Sequence, residues 1–517
     1  MNIVALFEQQ ASVRPGQPAI IDVRGSRYRI RSYRQLAADS ARMAALFRAE
    51  GLGTGDRVLV LQPMGYELYA VMLALLRLGA VVMVLDPAAG RETVAFYCRL
   101  GEPTALVAGR RDLLRHLVSP RLCRLRRFAV DGYVPGAVSL SQARQQPRLE
   151  ELAAGGQAPA LFTLVRNEQG ALRRVLRSHG DLIAVQAALA AALDHAPGES
   201  ELSTLPLAPL ANLLSGMTSV IPAAPLHAPA RVPPQTLFQL LKAFDIRRSA
   251  GAAVLFRRLV EYCERSGRKL PLTHIHIGGA PVLPPALARI QHATDGAVVA
   301  ALHGGAEALP LTRVMYREYR QVDLASMQAG GGLLAGKSVD GLALQVIRDR
   351  YGSPIGPYDG TRFAAEALPP GVVGEVVACG DHLVAGYLHA EGDVESKFEV
   401  DGRRWHRTGE AGYLDAEGRL WLVGRCRSRI DDSRGRLYPF SVECAASFLD
   451  GVQRSAMLSH AGRRILLVEG ARGLDVEALR RALTWAQLDE VRRVRTIPVD
   501  ARQQARVDYA RLAARLK

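Results

Sequence analysis

Apolar and polar positions along this chain follow two rhythms. RSYRQLAADSARMAALFRAEGL (residues 31–52) spaces its apolar residues at helical intervals and stops at Gly51, which predicts a helix closed by a glycine. DRVLVLQP is a short apolar run ending at Pro63, the pattern of a buried strand. YELYAVMLALLRLGA predicts a second helix closed by Gly79, and VVMVLDP another strand. The same alternation returns between Leu182 and Ala301, in DLIAVQAALAAAL, TLFQLLKAFDI, AAVLFRRLVEYC, THIHIGGAPVLP, PALARIQHA and AVVAALHGG. Strand–helix–strand order with short Gly and Pro breaks predicts an α/β fold built on mostly parallel, doubly wound sheets. After Gly330 the texture changes. Short runs with Gly and Pro turns (GLALQVI, GEVVACG, RLWLVGR) predict a small β-rich lobe, and the chain from Cys426 to Lys517 reads as a compact α+β tail.

Length and composition narrow the class. At 517 residues the chain exceeds one compact core and predicts two or more domains. No apolar run reaches the 18 or so residues that span a bilayer. The N-terminus, MNIVALFEQQASVRPGQ, lacks a basic segment ahead of an apolar stretch and does not read as a signal peptide. Six cysteines stand far apart without metal-site or redox spacing, which predicts free thiols in a reducing, cytoplasmic setting.

The net charge of +16 is carried almost wholly by arginine, since Lys242, Lys269, Lys337, Lys397 and Lys517 are the only lysines among 66 basic residues. The densest cluster, Arg110 to Phe128, has seven arginines against one aspartate. A solvated helix face is the plain reading of such a cluster. A basic surface also suits nucleic acid, an anionic membrane or an acidic partner such as an acyl carrier protein. No aromatic-interleaved basic motif or zinc pattern for nucleic-acid readout is present, so nucleic acid is not expected as a partner.

The chemistry-bearing motifs lie later in the chain. GVVGEVVACGDHLVAGYL (Gly371 to Leu388) is followed by DGRRWHRTGEAGYLDAEGRLWLVGR. Together they resemble the acyl-adenylate-forming superfamily of acyl-CoA ligases, luciferases and adenylation domains. GLGTGDRVLVLQP, LLRLGAVVMVLDP and GGAPVLP have counterparts there too. Within that run GYLDAEGRLWLVG predicts a hairpin whose turn brings Glu410 and Arg425 to the same end of a sheet. A carboxylate there can accept both hydroxyls of a ribose, and a guanidinium can donate to hydroxyl or phosphate oxygens. Family members have Asp where this chain has Glu410. The resemblance further implies a large domain over 1–424, with its β-rich lobe over roughly 330–424. It also implies a hinge at 425–429 and a small mobile α+β lid over 430–517.

ALHGGAEALPLTRV (Ala301 to Val314) resembles the family's YGATE-type segment. By that resemblance Glu307 would hold magnesium, and His303, Gly304, Gly305 and Ala306 would line the nucleotide. His303 replaces an aromatic residue and Ala306 a threonine. EALPL, LPLAPLANLLSGMTSVIP (Leu205 to Pro222) and IPVDARQQARVDYARL resemble one branch, the olefinic β-lactone synthetases, which turn β-hydroxy acids into β-lactones through an acyl-adenylate. The resemblance places Pro206, Asn212, Gly216 and Met217 at an apolar acyl pocket.

LFTLVRNEQGALRRVLRSH (Leu161 to His179) departs most from the family. Family members carry a Ser/Thr/Gly-rich loop there, whose backbone N–H groups wrap the β- and γ-phosphates while a lysine adds charge. This chain keeps Gly170 and has Arg173 for the lysine. Val165, Arg166, Asn167, Glu168 and Gln169 replace the small residues. Glu168 would repel phosphate unless Arg166 neutralises it. The family's catalytic lysine aligns with Arg506, so Arg506, Glu307 and His179 are the catalytic residues that the resemblance implies. ATP and Mg2+ follow as cofactors, with coenzyme A added on the ligase side. Three readings stay open: an ATP-dependent adenylate-forming enzyme acting on a hydrophobic, β-hydroxy acid; a catalytically degenerate scaffold in a biosynthetic assembly; and an acyltransferase or cyclase that takes a carrier-bound acyl group.

Overall fold

A computed structural model describes residues 1–24, 27–116, 120–166, 172–223, 232–390, 392–499 and 507–514. The chain divides into two compact units. One is Met1–Ala250 with a short excursion at 386–391, and the other is Gly251–Ala385 with 392–517.

In the first unit, the predicted alternation of strand and helix is present. Val138–Ser139, Arg126–Ala129, Ala105–Ala108, Arg57–Leu61, Val81–Leu85, Pro159–Arg166 and Leu172–Ser178 form a seven-stranded sheet in that order. All neighbours are parallel until the last pair, where Pro159–Arg166 and Leu172–Ser178 run antiparallel. The helix Tyr66–Arg77 buries every residue but Glu67, as its near-continuous apolar run requires. Its buried Arg77 donates to the Glu150 carbonyl at 3.1 Å and pairs with Glu8. A second layer pairs Pro18–Arg24 and Ser200–Ser203 in parallel with opposite flanks of Thr218–Ile221.

In the second unit, His274–Gly278 pairs in parallel with Val298–Gly305. From there the sheet runs antiparallel through Ala308–Met315, Leu333–Ser338, Leu420–Arg425, Arg403–Leu414, Gly374–Cys379 and Ala343–Ile347. The β-rich stretch after Gly330 is therefore not a detached sheet. Leu333–Ser338 joins it to the hairpin that carries Glu307.

The C-terminal tail belongs to the same unit and keeps its own small core. Val452–His460, Arg463–Gly470 and Glu490–Val494 form a three-stranded sheet. Val442, Met457, Leu466, Val468, Leu479 and Leu483 pack together within the tail. Glu443, on the helix Pro439–Ala446, is buried in this tail. It accepts the Met457 N–H at 2.9 Å and the Tyr509 hydroxyl. Burial pushes its carboxyl up to about 7 from an ordinary 4.5. The folded state thus prefers the protonated acid. Its contribution to stability is complete below pH 4.5 and is lost as pH rises through 7. Glu443→Gln should remove that decline, gaining up to about 3 kcal/mol on wild type between pH 4.5 and 8. Urea midpoints of both proteins at the two pH values check this, and parallel pH dependence would refute it.

Candidate active site

Two hairpins of the second unit build the site. The first joins Val298–Gly305 to Ala308–Met315 through a tight turn at Ala306 and Glu307, with Gly305 opposite Ala308. Gly304 sits at φ +151°, and a Cβ there would come within 2.3 Å of the Ala308 carbonyl oxygen. Only glycine fits, which keeps the turn tight and holds Glu307 at its tip. The Glu307 carbonyl accepts the Val384 N–H at 2.9 Å.

The second hairpin joins Arg403–Leu414 to Leu420–Arg425. Glu410 lies directly opposite Arg425 in its ladder, as the turn sequence predicts. Gly409 adopts φ +67°, where the ladder to Gly374–Cys379 slips. The Thr408 hydroxyl bridges the kink. It donates to the Val376 carbonyl at 2.7 Å and accepts the Glu410 N–H at 3.1 Å.

The hairpins meet through side chains. His303 Nε2 lies 2.5 Å from Glu410 Oε2, with the two side chains 11% and 19% exposed. His303 therefore holds the Glu410 carboxylate across the two hairpins. His303 also lines a cleft of about 270 Å³, counted with the solvent space it opens to, beside Ala280, Pro281, Val282, Tyr319 and Leu334.

A second set of contacts surrounds Glu307. His406 Nε2 stands 3.6 Å from its carboxylate, and buried Lys397 Nζ lies 3.0 Å from His406 Nδ1. Lys397 Nζ also donates to the Val384 carbonyl at 2.5 Å. Burial first, and the Lys397 charge second, hold His406 well below the usual histidine range. The contact with Glu307 is thus between a neutral imidazole and a carboxylate rather than an ion pair.

Of the residues singled out in the sequence, the second unit brings together His303, Gly304, Gly305, Ala306, Glu307, Glu410 and Arg425. Arg173, His179, Pro206, Asn212, Gly216 and Met217 belong to the first unit. Arg173 is half-buried on the strand Leu172–Ser178. His179 is fully buried at the start of the helix His179–Ala192, where its Nδ1 accepts the Ile3 N–H at 3.4 Å. Burial first, then the chain's amino terminus, lower it to about 4. Pro206 is exposed, and its carbonyl accepts the Tyr69 hydroxyl.

Asn212 is fully buried, with Nδ2 donating to Glu201 at 3.0 Å and to the Ser203 and Ser219 hydroxyls at 3.2 Å. Gly216 sits at φ +73°, beside the Gln10 side chain, and the buried Met217 gives its carbonyl to the Tyr33 hydroxyl at 2.8 Å. Gly170, with residues 167–171, and Arg506, with residues 500–506, lie outside the described residues.

The residues that sequence reasoning missed are His406, Lys397 and Thr408. Two of them, His406 and Thr408, stand four and two positions before Glu410 on the same strand. A search for polar residues along that strand would have found them.

The donor set suits a nucleotide. Glu410 offers carboxylate oxygens, Arg425 a guanidinium, and His303 a ring that lines the cleft. For magnesium, Glu307 gives one carboxylate, and among the described residues no cluster of three or more His, Cys, Asp or Glu forms a cage. That fits a cation held by one or two carboxylates plus substrate phosphates, which is how Mg2+ is usually bound.

The AMP-binding enzyme family model matches residues 7–162. The chain is 30% identical to the olefin beta-lactone synthetase of Stenotrophomonas maltophilia, over 99% of this chain and 97% of that protein. It is 28% identical to the olefin beta-lactone synthetase of Xanthomonas campestris pv. campestris, with the same coverage. The amide bond synthetase McbA from Marinactinospora thermotolerans has the same fold, with TM-score 0.80 and 18% identity over the whole of both chains. ATP-bound MatB from Rhodopseudomonas palustris gives TM-score 0.77 and 19% identity over 100% of this chain and 99% of that one. The chain belongs to the AMP-binding, adenylate-forming enzyme family. Within that family these two relatives, which cover nearly the whole chain, are olefin beta-lactone synthetases.

Proposed function

We propose that the protein forms an acyl-adenylate from ATP and a hydrophobic β-hydroxy acid, as a β-lactone synthetase or acyl-CoA ligase would. The observation that carries this is the convergence of Glu410, Arg425 and His303 beside the Glu307 turn. In this reading Glu410 accepts the ribose hydroxyls, Arg425 donates to hydroxyl or phosphate oxygens, and the His303 ring covers the base. Glu307 would hold Mg2+, which when bound neutralises phosphate charge. Arg173 and Arg506 supply the positive charge that lysines supply elsewhere, through bidentate donors suited to phosphate and carboxylate oxygens. Residues 430–517 act as a lid that turns about 425–429. The tail's own core supports this, and the basic surface suits an acidic acyl carrier as partner. Coenzyme A belongs to the ligase version of the reaction. Pyrophosphate release by the wild-type protein with ATP and a panel of hydrophobic β-hydroxy acids tests the proposal. No release from the folded protein with any of them would overturn it.

One contact favours a second reading, a degenerate family member that binds without turnover. The Glu410 carboxylate is already engaged by His303. The two readings predict opposite results from changing that pair. If the pair was rebuilt for function, His303→Phe and Glu410→Asp each weaken ATP binding, and the double variant recovers it. If the pair blocks the site, His303→Phe alone strengthens binding. The expected result is recovery in the double variant, measured by calorimetry with ATP and Mg2+.

A further inference from the structure

Four polar contacts close a ring around Glu307. The Val384 N–H donates to the Glu307 carbonyl at 2.9 Å, and Lys397 Nζ donates to the Val384 carbonyl at 2.5 Å. Lys397 Nζ also meets His406 Nδ1 at 3.0 Å, and His406 Nε2 faces the Glu307 carboxylate at 3.6 Å. The ring holds the Glu307 backbone by a hydrogen bond and sets His406 Nε2 facing its carboxylate. The far side of the hairpin is held as well, since His382 Nε2 donates to the Pro310 carbonyl at 2.8 Å.

The ring has one directional element. An ammonium has donors and no acceptor, so His406 Nδ1 must accept from Lys397. The ring proton then sits on Nε2, the nitrogen that faces Glu307. The Ser396 carbonyl, 3.3 Å from Nδ1, favours the opposite tautomer. The shorter contact with the charged donor outweighs it. Lys397 is also unusual within this chain. Among the described lysines it alone is buried, while Lys242, Lys269 and Lys337 are exposed. In a chain that uses arginine nearly everywhere, a compact ammonium stands between His406 and the Val384 carbonyl.

We propose that Lys397 is a positioning residue: by fixing the His406 tautomer it aims the Glu307 carboxylate at the site of the nucleotide's metal ion. The role assigned to Glu307 rests on the adenylate-forming reading above. The tautomer does not, and the two are measured separately.

Nitrogen NMR of the nucleotide-free protein reads the tautomer. Wild type is expected to show His406 protonated at Nε2, and Lys397→Met to shift it toward Nδ1–H, the form the Ser396 carbonyl favours. Calorimetry of ATP binding with and without Mg2+ reads the aim of Glu307. Lys397→Met should weaken the Mg2+-dependent part by about ten- to a hundredfold, the usual effect of losing an outer partner of a metal ligand. It should leave Mg2+-free binding unchanged. Combined with Glu307→Gln, it should add nothing to that variant's own loss.

If Lys397→Met does not fold, His406→Phe replaces it in the calorimetry, and the wild-type spectrum still gives the tautomer. A wild-type Nδ1–H tautomer, or a Lys397→Met protein with unaltered tautomer and Mg2+ dependence, overturns the proposal. So does full additivity with Glu307→Gln. If wild type binds no ATP, the adenylate-forming reading fails, and the tautomer comparison alone decides whether Lys397 sets His406.

Discussion

Replacing Arg407 by leucine is expected to lower the unfolding free energy by about 3–5 kcal/mol. Arg407 and Glu375 form an ion pair whose side chains are 1% and 0% exposed. The geometry is bidentate, with Nε to Oε1 at 2.9 Å and Nη2 to Oε2 at 2.6 Å. A third donor, Nη1, reaches the Ser353 carbonyl at 2.5 Å. Burial pushes the Glu375 carboxyl up and Arg407 pulls it back down. Removing the arginine leaves a buried carboxylate with no counter-charge, beside Asp349, which already raises it. Replacing both partners with leucine should recover most of the loss, because the penalty comes from an unpaired charge rather than from an absent pair. Denaturant unfolding of the two single variants and the double variant measures this. A loss below about 1 kcal/mol in Arg407→Leu would show that water reaches the pair.

The second large effect is on turnover. Arg506→Ala should cut pyrophosphate release by at least about a hundredfold, the scale at which misplacing a catalytic group by an ångström is felt. Arg506 immediately precedes a clamped point of the tail. Val507 bridges to Val499, the Asp508 N–H donates to the Pro498 carbonyl at 2.9 Å, and the Tyr509 hydroxyl donates to Glu443. If Arg506 carries the proposed role, Arg506→Lys should not raise activity, because an ammonium lacks the bidentate donors of a guanidinium. Equal release from wild type and Arg506→Ala would remove the role given to Arg506 and leave the family assignment intact.

The local pattern made much of the fold legible. Tyr66–Arg77 and Arg57–Leu61 could be read because their apolar runs are short and end at glycine or proline. The pairing of Glu410 with Arg425 could be read because a tight turn between two apolar arms fixes the register. The contact of His303 with Glu410 could not be. It joins residues 107 positions apart, through a sheet order that no local periodicity encodes. The Lys397–His406–Glu307 ring depends on the same sheet order.

Asn212, which the resemblance places at an acyl pocket, has contacts that the sequence did not announce: its amide nitrogen donates to Glu201, Ser203 and Ser219. The strands Ser200–Ser203 and Thr218–Ile221 lie side by side and present those acceptors to it.

The preference for arginine has a chemical consequence beyond charge. An acyl-adenylate is an acylating agent, and an unprotonated amine beside it is a target. A guanidinium stays protonated at any physiological pH and is a poor nucleophile, whereas a lysine that loses its proton is a good one. Guanidinium groups in the role proposed for Arg173 and Arg506 would therefore not be consumed by an activated acyl group. The one buried lysine among the described residues, Lys397, has its nitrogen tied to the Val384 carbonyl and to His406. Amine-directed acylation from outside would meet Lys242, Lys269 and Lys337 on the surface, and would leave the charges of Arg173 and Arg506 untouched.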